Sequence, residues 1–169
     1  MAHDSSRRSL IVAALAANAL AGCGFRLRGN QNFAFSSIAI TPYPGGAVAQ
    51  ELRRAFGGAV QVLPFDAPLK QAQVVLNMPT EQRDKVVVGS NASGQVREFQ
   101  LRLRIQFSVS TPQGKELLPS GSIALQRDFS YNETAALAKE TEEALLYRDM
   151  QSDIAGQILR RLATVKPEL

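Results

Sequence analysis

Few residues in this chain of 169 could do chemistry, and they are unevenly placed. Its one Cys is Cys23 and its one His is His3. Everything after Cys23 lacks both types. That excludes a disulfide framework, a Cys/His zinc site, a Cys nucleophile and a His general base from the body of the chain. Carboxylates remain. Glu140, Glu142 and Glu143 cluster, and paired carboxylates can serve acid–base hydrolysis. On a helix such a group is more often a solvated N-terminal end favoured by the dipole. The sequence has no Gly-rich phosphate loop, GxSxG elbow or metal-ligand cluster. The expectation is a chain that is not an enzyme and takes no metal or diffusible cofactor. Arg97, Arg102, Arg104 and Arg127 lie on or near two long predicted strands. An Arg fork beside apolar surface can take a phosphate. The plainer reading of each is a solvated charge with a cross-strand partner.

Cys23 has the most specific surroundings. Met1 to Ser9 is polar and carries Arg7 and Arg8, and Leu10 to Leu20 is apolar apart from Asn18. That run is too short for a spanning helix, which needs about 20 residues. A basic start, a short apolar middle and small residues at the end describe an export signal. Ser6-Arg7-Arg8-Ser9-Leu10-Ile11 also resembles a weak twin-arginine leader, which leaves the export route open. Leu20-Ala21-Gly22-Cys23 resembles the bacterial lipoprotein box. The resemblance implies cleavage before Cys23, a diacylglycerol on its sulfur and an acyl chain such as palmitate on its new amino group. The plainer alternative is an ordinary secretory leader followed by a stray Cys. Gly24, where Asp would favour inner-membrane retention, points to the outer membrane by the same resemblance. Residues 1–22 are thus read as a signal peptide, and 23–169 as one domain of 147 residues. Losing Arg7, Arg8 and Asp4 takes the net charge from +4 to +3. So mild a surplus does not indicate a nucleic-acid partner. With 45% hydrophobic and 20% charged residues, the domain can build an ordinary core.

The elements that must position those charges are legible in outline. Ser37–Thr41 reads as a strand stopped by Pro42, Pro44, Gly45 and Gly46. Ala47 to Phe56 has Val48, Leu52, Ala55 and Phe56 at helical spacing, with Gly57-Gly58 as a stop. Val60 to Leu63 reads as a second strand. Gln73 to Met78 and Lys85 to Gly89 flank the polar stretch Thr80 to Asp84, giving one bent strand or two. From Phe99 to Val109, apolar residues alternate strictly with Gln100, Arg102, Arg104, Gln106 and Ser108. That is a strand with one buried and one wet face, which puts Arg102 and Arg104 on the same side. Thr111 to Lys115 is a hairpin loop, and Ile123, Leu125, Phe129 and Tyr131 supply the return strand. Leu146, Met150, Ile154, Ile158 and Leu162 recur every fourth residue, widened by Ala155 and Leu159, so a long amphipathic helix runs towards Pro167. The expected class is α+β, a mostly antiparallel or mixed sheet of about four long strands.

Four stretches, taken together and in order, resemble the LPS-assembly lipoprotein (LptE) family. They are Ala21-Gly22-Cys23-Gly24-Phe25-Arg26-Leu27-Arg28; Gly94-Gln95 with Glu98-Phe99-Gln100; Arg127-Asp128-Phe129-Ser130-Tyr131-Asn132; and Ala136-Leu137-Ala138-Lys139-Glu140, leading to Gln157-Ile158-Leu159-Arg160-Arg161-Leu162. The specificity lies in the combination. The resemblance implies two helices packed on one face of the sheet. It implies an outer-membrane lipoprotein without catalytic activity, seated as a plug in the β-barrel protein that inserts lipopolysaccharide (LptD) and assisting that insertion. It implies basic residues near a hairpin tip and in the Ala-Leu-Ala-Lys segment as candidates for contact with lipopolysaccharide phosphates. Lys139 matches the second. The tip Asn91-Ala92-Ser93-Gly94 is uncharged, and Arg97 is its nearest cation. The rival expectation is an envelope lipoprotein that binds peptidoglycan or a lipid ligand without a barrel partner.

Overall fold

A computed structural model describes residues 31–167, and Cys23 with the leader lies outside them. In chain order the elements are β1 (Ser37–Thr41), α1 (Ala47–Phe56), β2 (Gln61–Val62), β3 (Val74–Ser90), β4 (Val96–Ser110), β5 (Glu116–Ser130) and α2 (Ala136–Leu162). One sheet runs in the order β2-β1-β3-β4-β5. β1 pairs in parallel with β2 and with the first residues of β3, and β3, β4 and β5 are antiparallel. The class is α+β as expected. Five strands form where about four long ones were expected, because only β3, β4 and β5 are long and β2 has two residues.

Alternation on β4 explains the layering. Leu101, Leu103, Ile105, Phe107 and Val109 are buried, joined by Val74, Leu76 and Met78 of β3 and Ile123 and Phe129 of β5. Each such side chain contributes about 1.5–3 kcal/mol by leaving water. The apolar stripe of α2, with Met150, Ile154, Ala155, Ile158 and Leu162, and Val48, Leu52 and Phe56 of α1 close the same cluster. The helix ends at Leu162, earlier than Pro167 would require. Thr164 donates its hydroxyl to the Arg161 carbonyl at 2.7 Å, and Val165 tucks into the core.

β3 is continuous. The polar stretch Thr80 to Asp84 stays paired with Gln106 to Arg102 of β4. The irregularity is a register shift between Asn77 and Thr80, where Pro79 falls. A proline has no N–H to give a ladder and is tolerated at a bulge. Among the described residues no strand continues beside β3 on its β1 side beyond Thr41, so polar residues cost little there.

The start of α1 is capped from a distance. Its N-cap, Gly46, has no side chain to offer. Glu81 of β3 supplies the acceptor, with Val48 N donating to Oε2 at 3.1 Å. Arg83 holds the other carboxylate oxygen at 3.0 Å. An anion there meets both unsatisfied amides and the helix dipole. A Cβ on Gly46 would overlap that carboxylate, and Gly45, at φ +72°, occupies the left-handed region.

Glu81→Ala should therefore lower unfolding stability by about 1 kcal/mol. Leu103→Ala, which opens the core, should cost about 2–5 kcal/mol. Urea midpoints measure both, and an unchanged midpoint for Glu81→Ala would mean the carboxylate does not cap α1.

Candidate functional site

Two surfaces gather the polar chemistry. The first is the sheet face turned away from the helices. Register places Gln82, Arg104 and Ala124 in one cross-strand row, Asp84, Arg102 and Gln126 in the next, and Val86, Gln100 and Asp128 in a third. Arg102 Nε donates to Gln100 Oε1 at 2.8 Å, and Gln100 Nε2 donates to Asp128 Oδ1 at 2.8 Å. A cavity of about 300 Å³ opens between Arg102, Arg104, Gln82, Asp84 and Gln126. Amides interleave with two basic and two acidic side chains here. Such a face exchanges water for another polar surface at little cost, because every group can be re-satisfied.

The second surface lies where the first turns of α2 cross the far end of the sheet. Between Ala136 and Asp149 the helix has no fully buried residue. Polar contacts hold it there. Lys85 Nζ meets Glu143 Oε2 at 2.6 Å and sits 4.4 Å from the Phe99 ring centroid. Lys139 Nζ donates to Glu142 Oε2 at 2.7 Å and to Ser130 Oγ at 3.1 Å. Tyr147 donates its hydroxyl to the Asp84 carbonyl at 2.9 Å, with the Arg83 guanidinium 5.4 Å from its ring. Burial is the main reason its pKa lies above 10.0; Glu143 adds to the rise and Arg83 opposes it. A cavity of about 70 Å³ is lined by Lys85, Lys139, Phe129, Tyr131, Glu140 and Glu143. Two ammonium groups beside aromatic edges can take an anion on an apolar stem, provided the carboxylates release them.

The five cations singled out in the sequence do not converge. Arg102 and Arg104 share the outer face. Arg127 lies opposite Leu101 on β4, on the inner side, and pairs with Asp153 of α2 at 3.1 Å. Arg97 donates to Gln95 Oε1 at 3.2 Å beside Asn132 and Thr134. Lys139 lies with Lys85, a residue the sequence did not single out. Treating Thr80 to Asp84 as a break removes the parity that would have put Arg83 and Lys85 on the helix side. The Glu140–Glu143 group is not a first-turn cluster, since α2 begins at Ala136; Glu142 and Glu143 are ion-pair partners instead. Among the described residues no group of three or more His, Cys, Asp or Glu could hold a metal, and no helix is long and apolar enough to cross a membrane.

Comparison with known proteins bears on the whole chain. Residues 31–162 match the family model LptE, described as lipopolysaccharide-assembly. The LPS-assembly lipoprotein LptE of Pectobacterium atrosepticum is 28% identical over 92% of this chain and 84% of its own length. That of Yersinia enterocolitica is 30% identical over 92% of this chain and 75% of its own. The solution structure of a lipoprotein B from Nitrosomonas europaea superposes with a TM-score of 0.69 at 29% identity, covering 83% of this chain and 90% of that one.

Tyr147→Phe should remove a tyrosinate component of raised pKa from the ultraviolet absorbance titration of this three-tyrosine chain. The raised pKa fixes the sign of the pH effect. Tyr147 favours the fold fully below pH 10.0, and that contribution is lost as pH rises through its higher native value. The variant should lose about 1 kcal/mol at neutral pH and show a weaker stability decline above pH 10.0. An unaltered late titration would place the perturbed hydroxyl elsewhere.

Proposed function

Because this chain belongs to the lipopolysaccharide-assembly (LptE) family, we propose that it is a non-catalytic outer-membrane lipoprotein, the plug and assembly partner of the β-barrel protein (LptD) that inserts lipopolysaccharide. A covalent lipid on Cys23 would hold it at the membrane. The observation that carries this reading is the outer face of β3, β4 and β5, a broad lattice of amides and balanced charges that no described helix covers. A barrel lumen is itself polar, because alternate residues of its strands face inward. Two such surfaces can exchange hydrogen bonds with water for hydrogen bonds with each other, over a long flat contact. A binder of peptidoglycan fragments or free lipid would instead need a cleft shaped to enclose its ligand. The cavities at the outer face and beside α2 are open and lined mostly by charged and amide side chains.

Contact with lipopolysaccharide is the second part of the proposal. Its lipid A phosphates need cations next to apolar surface. Lys139, beside Phe129 and Tyr131, offers that combination. Arg102 and Arg104 offer a pair on the outer face, while Arg97 and Arg127 are spent on neighbours or stand apart.

Purification from detergent-solubilised envelope should yield an equimolar complex with an outer-membrane barrel, and recovery of the chain alone would count for the rival. Replacing Lys139, Arg102 and Arg104 together by Ala should weaken lipopolysaccharide binding about tenfold or more, a loss of about 1.4 kcal/mol, and Lys139→Ala alone, off the outer face, should weaken it with the barrel complex retained. Unchanged binding would remove these residues from the contact.

A further inference from the structure

Large apolar side chains left in water are few here, and three sit on the two connections that leave the parallel strands β1 and β2. Tyr43 follows β1 and is 58% exposed; Phe65 and Leu69 follow β2 and are 71% and 48% exposed. β1 and β2 are neighbours and run the same way, so these connections emerge side by side. The rings of Tyr43 and Phe65 stack, with centroids 4.8 Å apart. Arg53 of α1 braces them. Its guanidinium lies 5.2 Å from the Tyr43 centroid and donates to the carbonyls of Pro44 at 2.5 Å and Ile40 at 3.3 Å. The stack is therefore presented outward by the fold. Lys70, on the Phe65 connection, is also exposed.

We propose that Tyr43, Phe65 and Leu69, flanked by Arg53 and Lys70, form a patch that rests on an anionic bilayer surface. The proposal builds on acylation of Cys23, proposed above. Chemistry selects this occupant. Aromatic rings with a leucine and neighbouring cations are the composition of an interfacial contact, in which rings sit at headgroup depth and Arg and Lys meet phosphates. A polar lumen gives stacked, exposed rings nothing comparable. Charge agrees with this. Asp66 is the acidic residue on the Phe65 connection, and Glu51 of α1 is already paired with Arg54. Reach allows it. Cys23 lies eight positions before Gln31, a tether of up to about 27 Å, so acylation at Cys23 does not confine the described domain to one orientation on the bilayer. Lipid insertion alone tethers the chain; the patch would fix its tilt.

The absence of Trp supplies the probe. Phe65→Trp is conservative at an exposed site, and Val88→Trp, at an exposed position of β3 away from both proposed lipid contacts, is the comparison. The full chain is purified from membranes, its acylation checked by intact mass, and it is mixed with vesicles of phosphatidylglycerol and phosphatidylethanolamine carrying brominated acyl chains. The Phe65→Trp variant should shift its emission to the blue and lose intensity to the bromines, and the Val88→Trp variant should do neither. Unquenched Phe65→Trp emission from a chain of acylated mass overturns the patch and leaves the anchor standing. A chain without acyl mass overturns the anchor, and quenching at raised lipid then still decides for or against the patch. Quenching that disappears when the barrel protein is co-reconstituted assigns the rings to that protein and overturns the proposal, as does equal quenching at both positions.

Discussion

The strict alternation along β4 governs the molecule. Inward residues Leu101, Leu103, Ile105, Phe107 and Val109 are buried, and outward ones between them carry amide, guanidinium or hydroxyl groups. A slip of one residue against β3 or β5 would put every leucine in water and every arginine in the core. The register with both neighbours is therefore fixed by burial, and with it the rows of the outer face. The same pattern that makes the core sets the polar lattice on the other side. No separate feature is needed to build a recognition surface.

The inner face is longer than the apolar stripe that covers it. Met150 to Leu162 of α2 packs on the sheet through hydrocarbon, whereas Ala136 to Tyr147 is held by Lys85–Glu143, Lys139–Glu142 and the Tyr147 hydroxyl. Partly exposed ion pairs contribute little, at most about 1 kcal/mol each. Local opening of this end of the helix consequently costs less than opening its core half. The lysines and aromatic edges beneath it are thus accessible without disturbing the fold, which suits a contact that must be made and released.

Much of this was legible in sequence because the signals were local. The bounds of β1 and α1 follow from Pro42 to Gly46 on one side and Gly57-Gly58 on the other. β4 declares itself by period two and α2 by its fourfold spacing. What was not legible depended on partners distant in sequence. The Thr80–Asp84 stretch reads as a break because a bulge at Pro79 shifts the pairing and its outer neighbour is missing. Glu81 looks like a surface acid until α1 is seen to begin on it. Strand parity put Arg102 and Arg104 together, but nothing local joins Arg127 to Asp153 or Lys85 to Glu143. A charge's face can be read from one strand, whereas its partner requires the register of the whole sheet.

The exposed apolar residues complete the argument about what kind of object this is. A chain acting free in water would gain by making Tyr43 and Phe65 polar, since they fill no core and their exposure invites association. Their stack is instead braced by Arg53 through two backbone carbonyls, so the fold invests contacts in holding them out. The outer sheet face shows the opposite economy, with its arginine and amides already linked to one another and presenting little apolar area. One body therefore carries two unlike surfaces, a polar lattice on the sheet and an aromatic, basic corner at its parallel edge. Under the proposals above, the first would meet a water-lined protein wall and the second a lipid surface.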